Sequence, residues 1–228
     1  MQYHIWFDLV AYISGAVVAY LLKKDSRRDR SRLSYGYYIS LLFGVFVGAF
    51  AIGSLNMFYT TNQPMIGKSV MGAIFGGIVS VEIFKKVNKM DSGSTGAYFV
   101  PSLALGICIG RIGCFFGGLE DYTCGTQTAC LFGYDFGDGI MRHPVQLYES
   151  VAMGLFFVYS LWLYRVKYAL FEAKVFYYFV LFYATQRFVW EFLKPYTHIV
   201  FGMNIFQACA ILMICYAITR LYLLKENK

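Results

Sequence analysis

Apolar stretches of helical length alternate along the chain with short polar breaks. They fall near residues 5–22, 36–56, 69–84, 98–113, 149–166, 175–193 and 201–223. A hydrocarbon core about 30 Å thick takes roughly 20 residues of helix, so the pattern predicts seven transmembrane helices. The third and fourth windows are short and glycine-rich. Alternating ten-residue segments, which would mark a transmembrane barrel, do not occur. The expected fold is an all-α polytopic membrane protein, with residues 1–228 forming one integral membrane domain.

Composition narrows the class further. Hydrophobic residues make up 58% of the 228-residue chain and charged residues 14%, against roughly 45–50% and 25% in soluble domains. So few charges cannot cover a soluble surface. The same figures exclude a disordered chain, a small disulfide scaffold and a nucleic-acid-binding domain, despite a net charge of +7.

The cations orient the helices. Lys23, Lys24, Arg27, Arg28, Arg30 and Arg32 follow the first window, and Lys85, Lys86 and Lys89 follow the third. Arg165, Lys167 and Lys174 surround the fifth-to-sixth connection, and Arg220, Lys225 and Lys228 close the chain. Cytoplasmic loops collect such residues, which predicts the N-terminus outside and the C-terminus inside. The first apolar run has no basic residue before it and a basic run after it, so it reads as an N-out anchor and not a cleavable signal.

Five cations fall on the outer side of this topology: Lys68, Arg111, Arg142, Arg187 and Lys194. Snorkelling to the headgroup layer accounts for Lys194 near a helix end and leaves Lys68 open between that and a role at the site. Arg111 and Arg187 lie inside apolar runs, where each charge costs roughly 2.5–3.5 kcal/mol on insertion scales and usually serves a function. Two guanidiniums at that depth suit an anion, and the anions at that depth are lipid phosphates.

Residues 114–148 form a long glycine-punctuated segment with four carboxylates, ending in Arg142 and His143. It is expected as a small extracytoplasmic head between the fourth and fifth spans. Within it, Cys124 and Cys130 leave a disulfide and two thiols equally open. Cys108, Cys209 and Cys215 lie within spans and read as small apolar fillers. No ligand spacing suggests a metal and no phosphate loop suggests ATP, so no cofactor is expected.

Three stretches bear a family resemblance. GRIGCFFGGLEDYTCGT at 110–126, RHPVQLYE at 142–149 and YATQRFVWEFLKP at 183–195 resemble motifs of the bacterial prolipoprotein diacylglyceryl transferases. GMNIFQ at 202–207 is similar to that family's segment entering the last helix. The resemblance implies a multi-pass enzyme of the bacterial inner membrane. It implies transfer of the diacylglyceryl group of phosphatidylglycerol to a lipobox cysteine thiol, with release of glycerol phosphate.

By that resemblance Arg111 and Arg187 hold the lipid headgroup and phosphate. Gly113, Cys114 and Gly125 accompany Arg111 in the first motif, and Arg142, Gln146, Tyr148 and Glu149 accompany His143 in the second, as lipid-binding candidates. Tyr183, Arg187 and Glu191 share one helix face at spacing of four. His143, Arg111, Arg187 and Glu191 are the catalytic candidates, with the imidazole suited to proton transfer near neutral pH. Lys68 adds a polar group near the altered third span.

Three departures stand out. Met71 occupies the position of the family's third-span histidine, Cys114 that of an asparagine, and Trp6-Phe7-Asp8 that of Trp-Tyr-Gly. The donor side is therefore retained while the acceptor side has changed. The expected partners are phosphatidylglycerol, membrane lipids and an acceptor protein or small molecule at the outer face. A paralogue with a different acceptor and a non-catalytic phospholipid-binding protein remain as alternatives. A transporter fits less well, because there is no inverted repeat.

Overall fold

A computed structural model describes residues 2–23, 33–90, 93–196 and 202–226. Among the described residues there are seven α-helices of 18 to 27 residues. These are α1 (Gln2–Lys23), α2 (Tyr35–Thr61), α3 (Val70–Val87), α4 (Val100–Gly117), α5 (Val145–Val166), α6 (Tyr168–Glu191) and α7 (Ile205–Glu226). Five helical stretches are long and apolar enough to cross a membrane: Ile5–Leu22, Tyr35–Thr61, Ala97–Glu120, Val145–Val166 and Ile205–Glu226. The chain is thus a multi-pass, mostly helical membrane protein. Helices α3 and α6 form as expected but carry more charge, with Glu82, Lys85 and Lys86 in α3 and Glu172, Lys174, Arg187 and Glu191 in α6. Most of the basic run expected to follow the first span, and Lys228, lie outside the described residues.

The chain divides into two compact units. One contains α2, α3 and the first half of α7; the other contains α1, residues 94–195 and the end of α7. In the first, α2 and α3 touch backbone to backbone. A Cβ on Gly48 would lie 2.2 Å from the Gly72 carbonyl oxygen, and one on Gly44 would lie 2.5 Å from that of Gly76. In lipid, where tails solvate leucine as well as another helix does, small residues at four-residue spacing let helices approach and gain dispersion energy. Ser40 and Ser80 add a hydroxyl–hydroxyl bond of 2.8 Å across the same seam. Farther along α3, Glu82 accepts from the Tyr216 hydroxyl of α7 at 2.8 Å and pairs with Lys85 at 3.3 Å.

In the second unit α1 lies on α4, with Gly113 pressed against Phe7, where an added Cβ would meet the Phe7 Cβ at 2.6 Å. Phe7 and Phe116 stack with centroids 5.3 Å apart. Helix α5 lies between α4 and α6, joined to α4 by the Ser150 hydroxyl donating to the Cys108 carbonyl at 2.8 Å. Phe156 packs on Phe179 and Phe182 of α6.

The head is a short antiparallel hairpin, β1 (Tyr134–Asp135) and β2 (Met141–Arg142). Asp135 shapes its turn, one carboxylate oxygen accepting from the amides of Gly137, Asp138 and Gly139 at 2.8 to 3.1 Å. Gly137 and Gly139 take φ of 99° and 76°, a region that side chains disfavour. Phe115, Tyr134 and Phe136 form an aromatic cluster that seats the hairpin on the end of α4. Cys124 and Cys130 are not joined, so both are thiols, one buried and one exposed.

Candidate active site

Five charged side chains meet inside the second unit, supplied by α4, α5, α6 and the turn after α6. Glu149 of α5 is the hub. Its Oε2 lies 2.5 Å from Nε of Arg111 on α4. Its Oε1 accepts from Nη1 of Arg187 on α6 and, at 2.8 Å, from Nζ of Lys194. Arg187 spreads its fork, with Nη2 pairing with Glu191 one turn on. Lys194 closes the ring at 3.4 Å from Glu191. Glu149 and Glu191 are fully buried, and the Arg187 and Lys194 side chains are 4% and 1% exposed.

Ions so far from water persist only when paired and hydrogen-bonded, since each costs several kcal/mol to desolvate. The pairing here is uneven: three cations face two carboxylates. Two further polar groups are buried without a protein partner. The Tyr183 hydroxyl, one turn before Arg187, makes no hydrogen bond, and neither do the amide oxygen and nitrogen of Gln146, one turn before Glu149. Buried polar atoms are nearly always satisfied. A surplus positive charge beside an unfilled hydroxyl and amide has the chemistry of an anion receptor with oxygen-rich neighbours.

The other candidates divide. Cys114 joins the cluster's edge, its Sγ 3.9 Å from Nη1 of Arg111. His143 sits at the head's return to α5, its Nδ1 3.4 Å from the Tyr148 hydroxyl. The Tyr148 ring in turn packs on Trp190 of α6, centroids 5.3 Å apart. Gly125 lies against His143, where an added Cβ would be 2.5 Å from the His143 carbonyl oxygen, and its amide donates to that oxygen at 2.9 Å. The next residue, Thr126, donates its amide to the Leu193 carbonyl at 2.6 Å, tying the head to the end of α6.

Arg142 is placed elsewhere, on the hairpin, bound to Asp138 at 2.7 Å. That contact holds the Asp138 carboxyl below its ordinary pKa and raises the arginine. Lys68 belongs to the other unit and lies over the Phe50 ring at 5.8 Å. Met71, also in that unit, is 1% exposed.

Lys194 is the residue that sequence reasoning misplaced. Snorkelling predicts a side chain leaving the bundle, and instead it is buried in the cluster. Its spacing three residues after Glu191 was the available signal.

The chain matches the family described as prolipoprotein diacylglyceryl transferase over residues 3–223. It is 29% identical to the phosphatidylglycerol–prolipoprotein diacylglyceryl transferase of Campylobacter lari over 92% of this chain and 84% of that protein. The corresponding protein of Campylobacter curvus is 28% identical over 99% of this chain and 90% of its own. That of Ehrlichia ruminantium is 32% identical over 83% and 78%. The three motifs that hold Arg111, Glu149 and Arg187, the last of them also holding Glu191 and Lys194, lie within the matched span and supply all five buried charges. The chain belongs to the prolipoprotein diacylglyceryl transferase family.

Proposed function

We propose that the chain transfers the diacylglyceryl group of phosphatidylglycerol to a thiol at the outer face of the bacterial inner membrane. The supporting observation is the buried cluster with its surplus positive charge and its unfilled hydroxyl and amide. A phosphodiester brings one negative charge and two acceptor oxygens, suited to the guanidiniums of Arg111 and Arg187. Tyr183 and Gln146 supply hydrogen bonds to the glycerol and ester oxygens. The names of the relatives, which pair phosphatidylglycerol with prolipoprotein, agree with this chemistry.

In the reaction the acceptor sulfur forms a bond to the glycerol carbon carrying the phosphate, and the C–O bond to phosphate breaks. The electron pair leaves with glycerol phosphate. Arg111 and Arg187 stabilise the charge gathering on the phosphate oxygens, the kind of preorganised electrostatics that contributes most in a site shut off from water. Glu149 and Glu191 hold the two forks in register. His143, at the base of the head, takes the thiol proton. The topology that serves this chemistry has seven spans, with the N-terminus and head outside and the C-terminus inside.

The test uses the full chain in vesicles with phosphatidylglycerol and a lipobox peptide. Mass spectrometry should find the diacylglyceryl thioether on the peptide and glycerol phosphate in solution. Met71, whose thioether cannot take a proton at neutral pH, favours one variation, in which the acceptor is not a lipobox cysteine. Glycerol phosphate release with another thiol but none with the peptide would select that variation. Absence of release with every acceptor would leave a phospholipid-binding protein.

A further inference from the structure

Within the cluster the two arginines are already matched by two carboxylates. Arg111 is paired with Glu149, and Arg187 with Glu149 and Glu191. Taken as a set these four groups have no net charge to offer an anion. Lys194 is the fifth, buried as deeply as the two carboxylates and bound to both at 2.8 and 3.4 Å. The positive charge that exceeds the carboxylates therefore equals the charge of Lys194.

We infer that Lys194 sets the selectivity of the site for a lipid with one net negative charge, acting through Glu149 and Glu191 as a positioning residue. By occupying the two carboxylates it releases the arginine forks from full neutralisation, so that they can face a phosphodiester. A monoanionic headgroup then brings the cluster to neutrality in a medium that tolerates no uncompensated charge. A zwitterionic lipid, whose ammonium cancels its phosphate, gains nothing from the surplus. The inference rests on the donor reading above and adds which residue supplies the discriminating charge.

The experiment compares binding of phosphatidylglycerol and phosphatidylethanolamine to the purified full chain, together with KM and kcat for the former. Wild type should prefer the anionic lipid. Lys194→Met should lose that preference, with KM rising by about tenfold or more and kcat changing less, as for loss of one partner in a buried charged set. Lys194→Arg should keep it, because the charge is kept. Lys194→Met combined with Glu191→Gln restores the surplus without the lysine, and its lipid preference should return.

A purely structural lysine would not be rescued by removing a carboxylate. A folded double variant that still fails to discriminate overturns the inference, even where Lys194→Met alone does not fold. So does a folded Lys194→Met that retains full preference. If wild type itself binds the two lipids equally, the donor reading fails first, and the outcomes are thereby distinguished.

Discussion

Arg187 shows what one residue must do in a dry charge cluster. Its two Nη atoms serve two different carboxylates, Glu149 on α5 and Glu191 on its own helix. A lysine keeps the charge but offers a point where a fork is needed. Arg187→Lys should lower turnover by about 10²–10³-fold, the range seen when one stabilising donor is lost, and Arg187→Ala should go further. Mass-spectrometric detection of released glycerol phosphate reads both. Removing the hub is a different experiment. Glu149→Ala strands three buried cations and should cost about 3–5 kcal/mol of stability, visible as a lower melting temperature in detergent.

The arginines were legible in the sequence because depth along an apolar run is a one-dimensional property. Lys194 was not, because which way a side chain turns at a helix end depends on what waits there. That Glu149 takes three cations at once follows only from α4, α5 and α6 being neighbours, which no spacing within one helix encodes.

Among the elements, the head is stiffened by its own short-range bonds. Asp138 accepts from the Ile140 amide at 3.2 Å and from Arg142 at 2.7 Å. Because the folded Asp138 carboxyl titrates below its unfolded value, this support is complete above the ordinary aspartate range and disappears as pH falls through the lowered value. Protection of the Ile140 amide, its exchange relative to an unstructured peptide at the same pH, should accordingly fall at acid pH in wild type and be low at every pH in Asp138→Ala. Gly125→Ala should be disruptive for a steric reason, since its Cβ has no room beside the His143 carbonyl. The seam between α2 and α3 is likewise intolerant. Gly48→Leu should unfold or aggregate the chain in detergent, as the new side chain would enter the Gly72 backbone. The glycine pairs at four-residue spacing, Gly44 with Gly48 and Gly72 with Gly76, are plain in the sequence, yet only the fold says that they face one another.

For the molecule as a whole, the proposed topology has a direct chemical readout. Cys130 is an exposed thiol in the head. A membrane-impermeant maleimide should label it in intact spheroplasts, and Cys130→Ser should abolish that labelling. Labelling that requires lysis would put the head in the cytoplasm and discard the orientation. Helix α6 completes the molecule in a less familiar way. It is absent from the stretches apolar enough to cross a membrane, and near its end it carries Arg187, which pairs with Glu191 on the same helix and with Glu149 of the helix made just before it. On the seven-span reading, biogenesis then has an order. As α6 emerges from the ribosome, its entry into lipid depends on α5 already being there to receive its arginine. On that reading the ionic ring, proposed above to hold a phosphate, also serves the nascent chain as an insertion receptor, so a truncated chain lacking α5 should leave α6 at the membrane surface.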